Sequence, residues 1–409
     1  MRKKIIVRGP VLSQSGYGEQ SRFALRCLRA HEDNFDIYIV PVSWGQTGWV
    51  SEDNEERRWI DFIIHKTNHH LSNKGTFDAS LQITIPNEWD RLAPINIGYT
   101  AGIESDKIDP SWVEKSSIMD KIIVVSNHAK YGFDNTSWTG TDQNNQRVTL
   151  KNTVPVETVN YCVRKWEPTK LDLDLSTKFN FLAMAQWGPR KNLINTVKWF
   201  VEECYDQDVG LILKTSLRKN NVSDRLETEQ RIKNTLSEYE DRKCKVYLIH
   251  GDMSEQELAG LYTHPKIKSL VTLTHGEGFG LPIFEAACHG LPVIAPEWGG
   301  QCDFLYAPHR GKNKAMFSKV AYTIAPIQEF AHWEGVLHPQ SNWCYPEPAS
   351  FKRQLRESIK DYKKKKKMAT TLQKHVLEEF TSEKMYQKFA DSILSVCGSQ
   401  EESVVKVFG

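Results

Sequence analysis

The chain has 409 residues and carries 53 Lys and Arg against 51 Asp and Glu, a net charge of +2 with histidine neutral. That length exceeds one compact core and suits two domains of about 150–200 residues each. The near-even charge excludes a global field that would draw the chain to nucleic acid or to an anionic membrane. Eight cysteines, Cys27, Cys162, Cys204, Cys244, Cys288, Cys302, Cys344 and Cys397, are scattered without a CxxC pair. That pattern speaks against a disulfide framework or a zinc site, and the thiols read as small core residues in a reducing, cytoplasmic compartment. The start, MRKKIIVRGP, holds only the IIV triplet ahead of Arg8, too short for a signal-peptide core, and no run approaches 18 uninterrupted apolar residues.

In chain order, IIVR (5–8), FDIYIV (35–40), LQITI (81–85), INIGYT (95–100) and KIIVVS (121–126) predict strands, with helices around 18–30, 55–66 and 111–117 between them. A stretch rich in Asn, Thr and Gln, 136–147, predicts a surface loop or hairpin tip. The apolar pattern breaks over 163–178 at Pro168 and TKLDLDLSTK, which marks a linker. Strand-like runs resume at FNFLAMAQ (179–186), VGLILKT (209–215), KVYLIHG (245–251), SLVTLT (269–274) and PVIAPE (292–297). Alternation of this kind predicts two doubly wound parallel-sheet domains, over 1–165 and 170–378.

Ligands of such sheets sit outside the carboxyl ends of the strands, and four segments lie there. After the first strand, GPVLSQSGYGEQSR places Gly16 and Gly18 at a helix start whose amides could meet a diphosphate. A dinucleotide fingerprint fits this loop less well, because Ser21 takes the third glycine position and seven residues separate Arg8 from Gly16. Residues 95–133 offer Glu104, Ser105, Asp106 and Asn127 as polar groups at strand ends. AQWGPRKN (185–192) offers Arg190, whose guanidinium can fork onto phosphate oxygens, and Lys191 as a point charge. Lys214, ending LILKT, is a further cation.

The densest signal is HGEGFGLPIFEAACHGLPVIAPEWGG (275–300). Gly276, Gly278 and Gly280 let a backbone turn sharply and approach a ligand just before a predicted helix, 281–289. Glu277 in the loop and Glu285 in the helix can reach opposite ends of something whose phosphates lie between them. Alone, an E-x7-E would be a solvated strand–turn–helix corner. With GFGLP, EA and GLPVIA beside it, the segment resembles the signature of retaining glycosyltransferases of GT-B architecture, in which two Rossmann-like domains face each other across a cleft.

That resemblance implies that Glu277 faces the donor sugar, that Glu285 holds the ribose hydroxyls, and that the backbone of Gly278, Phe279, Gly280 and Leu281 touches sugar and diphosphate. It implies further that 185–192 is the diphosphate clamp with Lys214 as a further donor-side cation, that Gly16 and Gly18 form a donor-side loop, with Ser15 in place of the first of that loop's glycines, and that the final helical segment, 380–409, returns to the first domain. It assigns the acceptor-side catalytic positions to Glu104 and Asn127. Many relatives carry a histidine at that strand end; none lies between Ile95 and Val125 here, and His128 reads as a helix-start residue. The implied co-substrate is a nucleoside-diphosphate sugar, with no cofactor and no metal. The acceptor stays open among a glycan, a lipid-linked sugar, a protein and a modified nucleic-acid base. A sugar-nucleotide epimerase or a non-catalytic binder of the same architecture are the competing classes, and the oligomeric state is not legible.

Other features take plainer readings. Asp172 and Asp174 form a D-x-D within the linker, with no strand before them. The run 363–367 is five lysines on a solvated helix face, and 59–71 is an amphipathic helix that fits a sheet surface as well as peripheral membrane contact. His65, His69 and His70 have no carboxylate or cysteine partner close by in sequence.

Overall fold

The computed structural model of the chain describes residues 2–45, 47–102, 104–141 and 146–398. Two six-stranded parallel sheets organise it. The first holds β1 (Lys3–Gly9), β2 (Phe35–Pro41), β3 (Ala79–Gln82), β4 (Ile95–Thr100), β5 (Lys121–Val124) and β6 (Val156–Thr158) in the order β2-β1-β3-β4-β5-β6. The second holds β7 (Asn180–Met184), β8 (Gly210–Lys214), β9 (Lys245–Ile249), β10 (Ile267–Val271), β11 (Val293–Pro296) and β12 (Ser318–Val320) in the order β9-β8-β7-β10-β11-β12. Helices cover both faces, so the strands are near-continuous apolar runs rather than alternating ones. Ile5, Val7, Leu81, Ile97 and Ile123 of the first sheet and Leu182, Ile212 and Leu270 of the second lie buried in one cluster, and Phe181, Leu211 and Ile294 in another on the second sheet.

Helix starts follow the capping residues. Ser15 accepts from the Gly18 amide at the head of α1 (Gly16–Arg29), and Asn54 from Arg57 at the head of α2 (Glu55–Ser72). After the short α3 (Pro110–Ser116), Ser126 caps α4 (Asn127–Asn135). In the second half, α5 (Leu193–Cys204) and α6 (Val222–Leu236) precede α7 (Glu255–Thr263), which opens on a full capping box between Ser254 and Glu257. Next come α8 (Leu281–Cys288), α9 (Pro348–Lys360), α10 (Tyr362–Glu379) and α11 (Ser382–Cys397).

Several expected boundaries shift. The third strand occupies 79–82 rather than 81–85, because Pro86 opens a short 3-10 turn that ends the extended run. The second helix runs on to Ser72, with Ile60, Ile63 and Thr67 inward and Thr67 Oγ1 accepting from the Ile39 amide at 2.8 Å. The 136–147 stretch forms an antiparallel hairpin of 137–141 and 147–151; its tip, 142–145, lies outside the described residues. β6 and β12 had no apolar run long enough to stand out. Residues 163–178 carry neither helix nor strand and connect the two sheets, while α11 packs on α1 through Phe389 against Phe23, ring centroids 5.8 Å apart. Residues 399–409 of the expected last segment lie outside the description.

A strap from the second half, 327–341, extends a hairpin formed by 322–326 and 342–346. It reaches the first half, where Trp112 Nε1 donates to the Gly335 carbonyl at 2.6 Å and Trp138 packs on His338 at 4.3 Å.

Candidate active site

In the second sheet the strand order reverses between β7 and β10, so the loops after these two strands diverge and leave a crevice between them. The loop after β7 carries Arg190 and Lys191 in a 3-10 turn closed by Asn192, which adopts a left-handed φ of 53°. The loop after β10 carries Glu277. Lys191 Nζ bonds Glu277 Oε1 at 2.5 Å, and Arg190 Nη1 lies 3.3 Å from Glu277 Oε2 while donating to the Gly276 carbonyl at 2.6 Å. Arg190 Nη2 reaches across to Glu104 Oε1 of the first half at 2.7 Å. Two carboxylates and two cations therefore meet where the halves face each other.

Their environments differ. Burial opposes ionisation of Glu277, but Lys191 and Arg190 more than offset it and hold the carboxyl below its ordinary range. Burial raises the Glu104 carboxyl, Arg190 and Lys191 do not fully compensate, and Glu277 adds to the rise. Lys191 is pushed down by burial and by Arg190.

Backbone geometry explains two of the glycines. Gly280, at the head of α8, has φ of 92°, the left-handed region that disfavours any side chain. Because Pro282 lacks an amide hydrogen, the donors at this helix end come from Leu281 and the residues before it. Gly276 is required by contact instead: a Cβ there would lie 2.0 Å from the Glu104 carbonyl oxygen. Phe279 is buried among Phe284, Phe304 and Tyr161, which fixes the loop from beneath.

Glu285 sits one turn into α8 and takes a hydrogen bond from Tyr262 Oη at 2.7 Å. Burial pushes its carboxyl up to about 7. It borders a pocket shared with Arg164, Trp166, Glu255, Tyr262 and His289.

The remaining expected residues lie elsewhere. Gly16 opens α1 with free space around it, whereas a Cβ on Gly18 would stand 1.9 Å from the Ser13 carbonyl, so Gly18 is a packing requirement. Lys214 donates to the Gly251 carbonyl beside Asp252. Asn127 is exposed, and its amide donates to Asp303 across the seam at 2.8 Å. Asp106 pairs with Asn342 of the hairpin that bears the strap, at 2.6 and 2.7 Å, and Ser105 Oγ donates to the Lys107 carbonyl. His128, second in α4, packs edge-on against Trp298, and burial lowers its pKa to about 4. Of the acceptor-side set, the structure brings Glu104 alone into ion-pair contact with the cluster.

Sequence reading missed the Tyr17–Thr100 hydroxyl pair, 2.6 Å apart, at the end of β4 where a histidine was sought. It also missed His275, whose Nδ1 bonds the Cys344 carbonyl at 2.6 Å and whose ring stacks on Trp343. The first had a weak signal in the Gly16–Tyr–Gly18 spacing; the second depends on a partner 68 residues or more away and had none. Among the described residues no group of three His, Cys, Asp or Glu is arranged to hold a metal, and no helix is long and apolar enough to cross a membrane.

No family model and no curated protein matches the chain. Solved structures do. The sucrose-phosphate synthase of Thermosynechococcus elongatus aligns with a TM-score of 0.62 at 13% identity, over 97% of this chain and 99% of the other. A glycosyltransferase from Rickettsia africae gives 0.60 at 14% identity, over 97% and 99%. HepE of Anabaena, solved with UDP and glucose, gives 0.59 at 12% identity, over 96% and 100%. The chain has the GT-B fold. Its fold neighbours are glycosyltransferases, and the GT-B cleft between two Rossmann-like halves is where Glu277, Arg190, Lys191 and Glu104 meet.

Proposed function

We propose that the protein is a retaining glycosyltransferase that moves a sugar from a nucleoside-diphosphate donor to an acceptor hydroxyl, in the cytoplasm and without a metal. The observation that carries this reading is the meeting of Arg190, Lys191 and the head of α8 with Glu277 at the strand-order crevice of a GT-B fold. Two cations and helix-end amides suit a diphosphate, and a carboxylate beside them suits the positive charge that grows on the sugar. The bond from the anomeric carbon to the phosphate oxygen breaks with its electron pair passing to the phosphate. Arg190 and Lys191 stabilise the charge that develops there. The acceptor oxygen then bonds to the same carbon, and its proton leaves with the diphosphate.

In this reading Glu285, raised toward neutrality by burial, accepts from ribose hydroxyls once ionised. The acceptor is a glycan or glycoconjugate in this reading, with a nucleic-acid base not assigned. A thermal-shift screen of UDP-, GDP- and ADP-sugars tests it. A donor at 100 times its dissociation constant stabilises by about 2.7 kcal/mol. A rise with one sugar nucleotide that is lost in Arg190→Ala supports the reading, and no rise with any of them opposes it.

A further inference from the structure

Arg190 presents its two terminal nitrogens to different halves of the molecule. Nη1 is held by the Gly276 carbonyl at 2.6 Å and by Glu277 at 3.3 Å, both within its own half. Nη2 faces Glu104 at 2.7 Å. The two carboxylates are not equivalent partners. Glu277 also has Lys191 at 2.5 Å and is 10% exposed, whereas Glu104 has Arg190 as its ion-pair partner among the described contacts and is 35% exposed. An arriving anion would therefore take the Nη2 arm from Glu104 at lower cost than it would take Nη1 or Lys191 from Glu277.

Building on the glycosyltransferase reading, we propose that Glu104 is a positioning residue, the internal counter-anion of Arg190, which stands in the place of the donor's diphosphate and is displaced by it. Before the donor arrives, Glu104 satisfies a half-buried guanidinium and holds its fork open toward the cleft. When the diphosphate takes Nη2, Glu104 loses its cation while Glu277 keeps Lys191. The charged groups facing Glu104 are Arg190, Lys191 and Glu277, and Tyr17 from α1 lies close enough to feel its charge. With Arg190 turned to phosphate, the remaining balance around Glu104 favours its neutral form, so it takes up a proton from solvent as the diphosphate binds. The Gly276 backbone packs close to the Glu104 carbonyl, which sets that side chain at the cleft in this structure.

Calorimetric titration of UDP, GDP and ADP into the full chain at about pH 6, in two buffers of different ionisation heat, reads both affinity and proton uptake. The nucleotide that binds wild type should bind Glu104→Gln about threefold or more tighter, because a competing anion is gone, and with smaller proton uptake. Glu285 exchanges protons in both forms, so the difference reports Glu104. Glu104→Asp, which keeps the charge, should restore the uptake, and matching melting curves guard against misfolding. Unchanged or weaker affinity in Glu104→Gln, with uptake equal to wild type, overturns the counter-anion role and leaves the transferase reading intact. Failure of wild type to bind any of the three nucleotides overturns both.

Discussion

At the scale of single residues, the two glutamates of the 275–300 segment should differ in kind. Glu285 is proposed to hold a part of the donor that changes little during reaction, so Glu285→Gln should mainly raise the Michaelis constant. Glu277 is proposed to face the sugar where charge develops, and Glu277→Gln should lower turnover on the order of 10²-fold or more. Glu285 also makes a pH prediction. Its folded pKa of about 7 lies above that of an unfolded glutamate, about 4.5, so the folded form binds the extra proton between those values. Stability should fall as pH rises from about 4.5 to 7 and level off beyond, and Glu285→Gln should flatten that slope in thermal melts. The cations make a separate case. Arg190→Ala with Lys191→Ala should weaken nucleoside-diphosphate binding, each losing a charge-assisted contact worth about 1.5–3 kcal/mol. Calorimetry showing unchanged affinity would refute the clamp.

At the scale of elements, what was legible in the sequence were the runs that parallel sheets make conspicuous. IIVR, INIGYT, VGLILKT and PVIAPE each mark a strand because burial on both faces leaves no polar alternation. Three-residue β6 and β12 offer no such run, and the strap over 327–341 is irregular, so neither carried a periodic signal. In the loops, Glu277, Arg190 and Lys191, which the structure brings together, stood out by their spacing next to glycines. The pairing of Glu104 with Arg190, 86 residues apart, needed the fold. Gly276 tests that pairing of loops. A methyl group there meets the Glu104 carbonyl, and overpacking of this kind costs about 1–3 kcal/mol. If the contact belongs to the working form, Gly276→Ala should lower kcat/KM roughly 5- to 100-fold, while the diphosphate product still binds within about threefold of wild type. Kinetics indistinguishable from wild type would show that the loops do not meet during turnover.

At the scale of the molecule, the two halves meet in polar pairs, Arg190 with Glu104, Asp106 with Asn342, and Asp303 with Asn127 and Asn160, and in ring contacts, Tyr161 with Phe279, His128 with Trp298 and Trp138 with His338. The polar pairs can exchange for water as the halves part, which permits hinge motion about the ring contacts. A donor bridging the halves should favour the closed form although it displaces Glu104 from Arg190, and Asp106→Ala, which removes one anchor of the hairpin that bears the strap, should favour the open one. Small-angle scattering checks this: the ligand-free variant should have a larger radius of gyration than wild type, and saturating sugar nucleotide should bring the two together. Matching curves in all four conditions would count against a hinged cleft.

The central claim is that sugar leaves a nucleoside diphosphate at Glu277 and the Arg190–Lys191 pair. Its most direct test follows release of nucleoside diphosphate from the sugar nucleotide that stabilises the protein, with a glycan panel as acceptor, in wild type and in Glu277→Gln. The account predicts acceptor-stimulated release with the sugar recovered on the acceptor in its original anomeric configuration, and a loss on the order of 10²-fold in the variant. Donor recovered as an isomer with no sugar on any acceptor, or release that survives in Glu277→Gln, would contradict it.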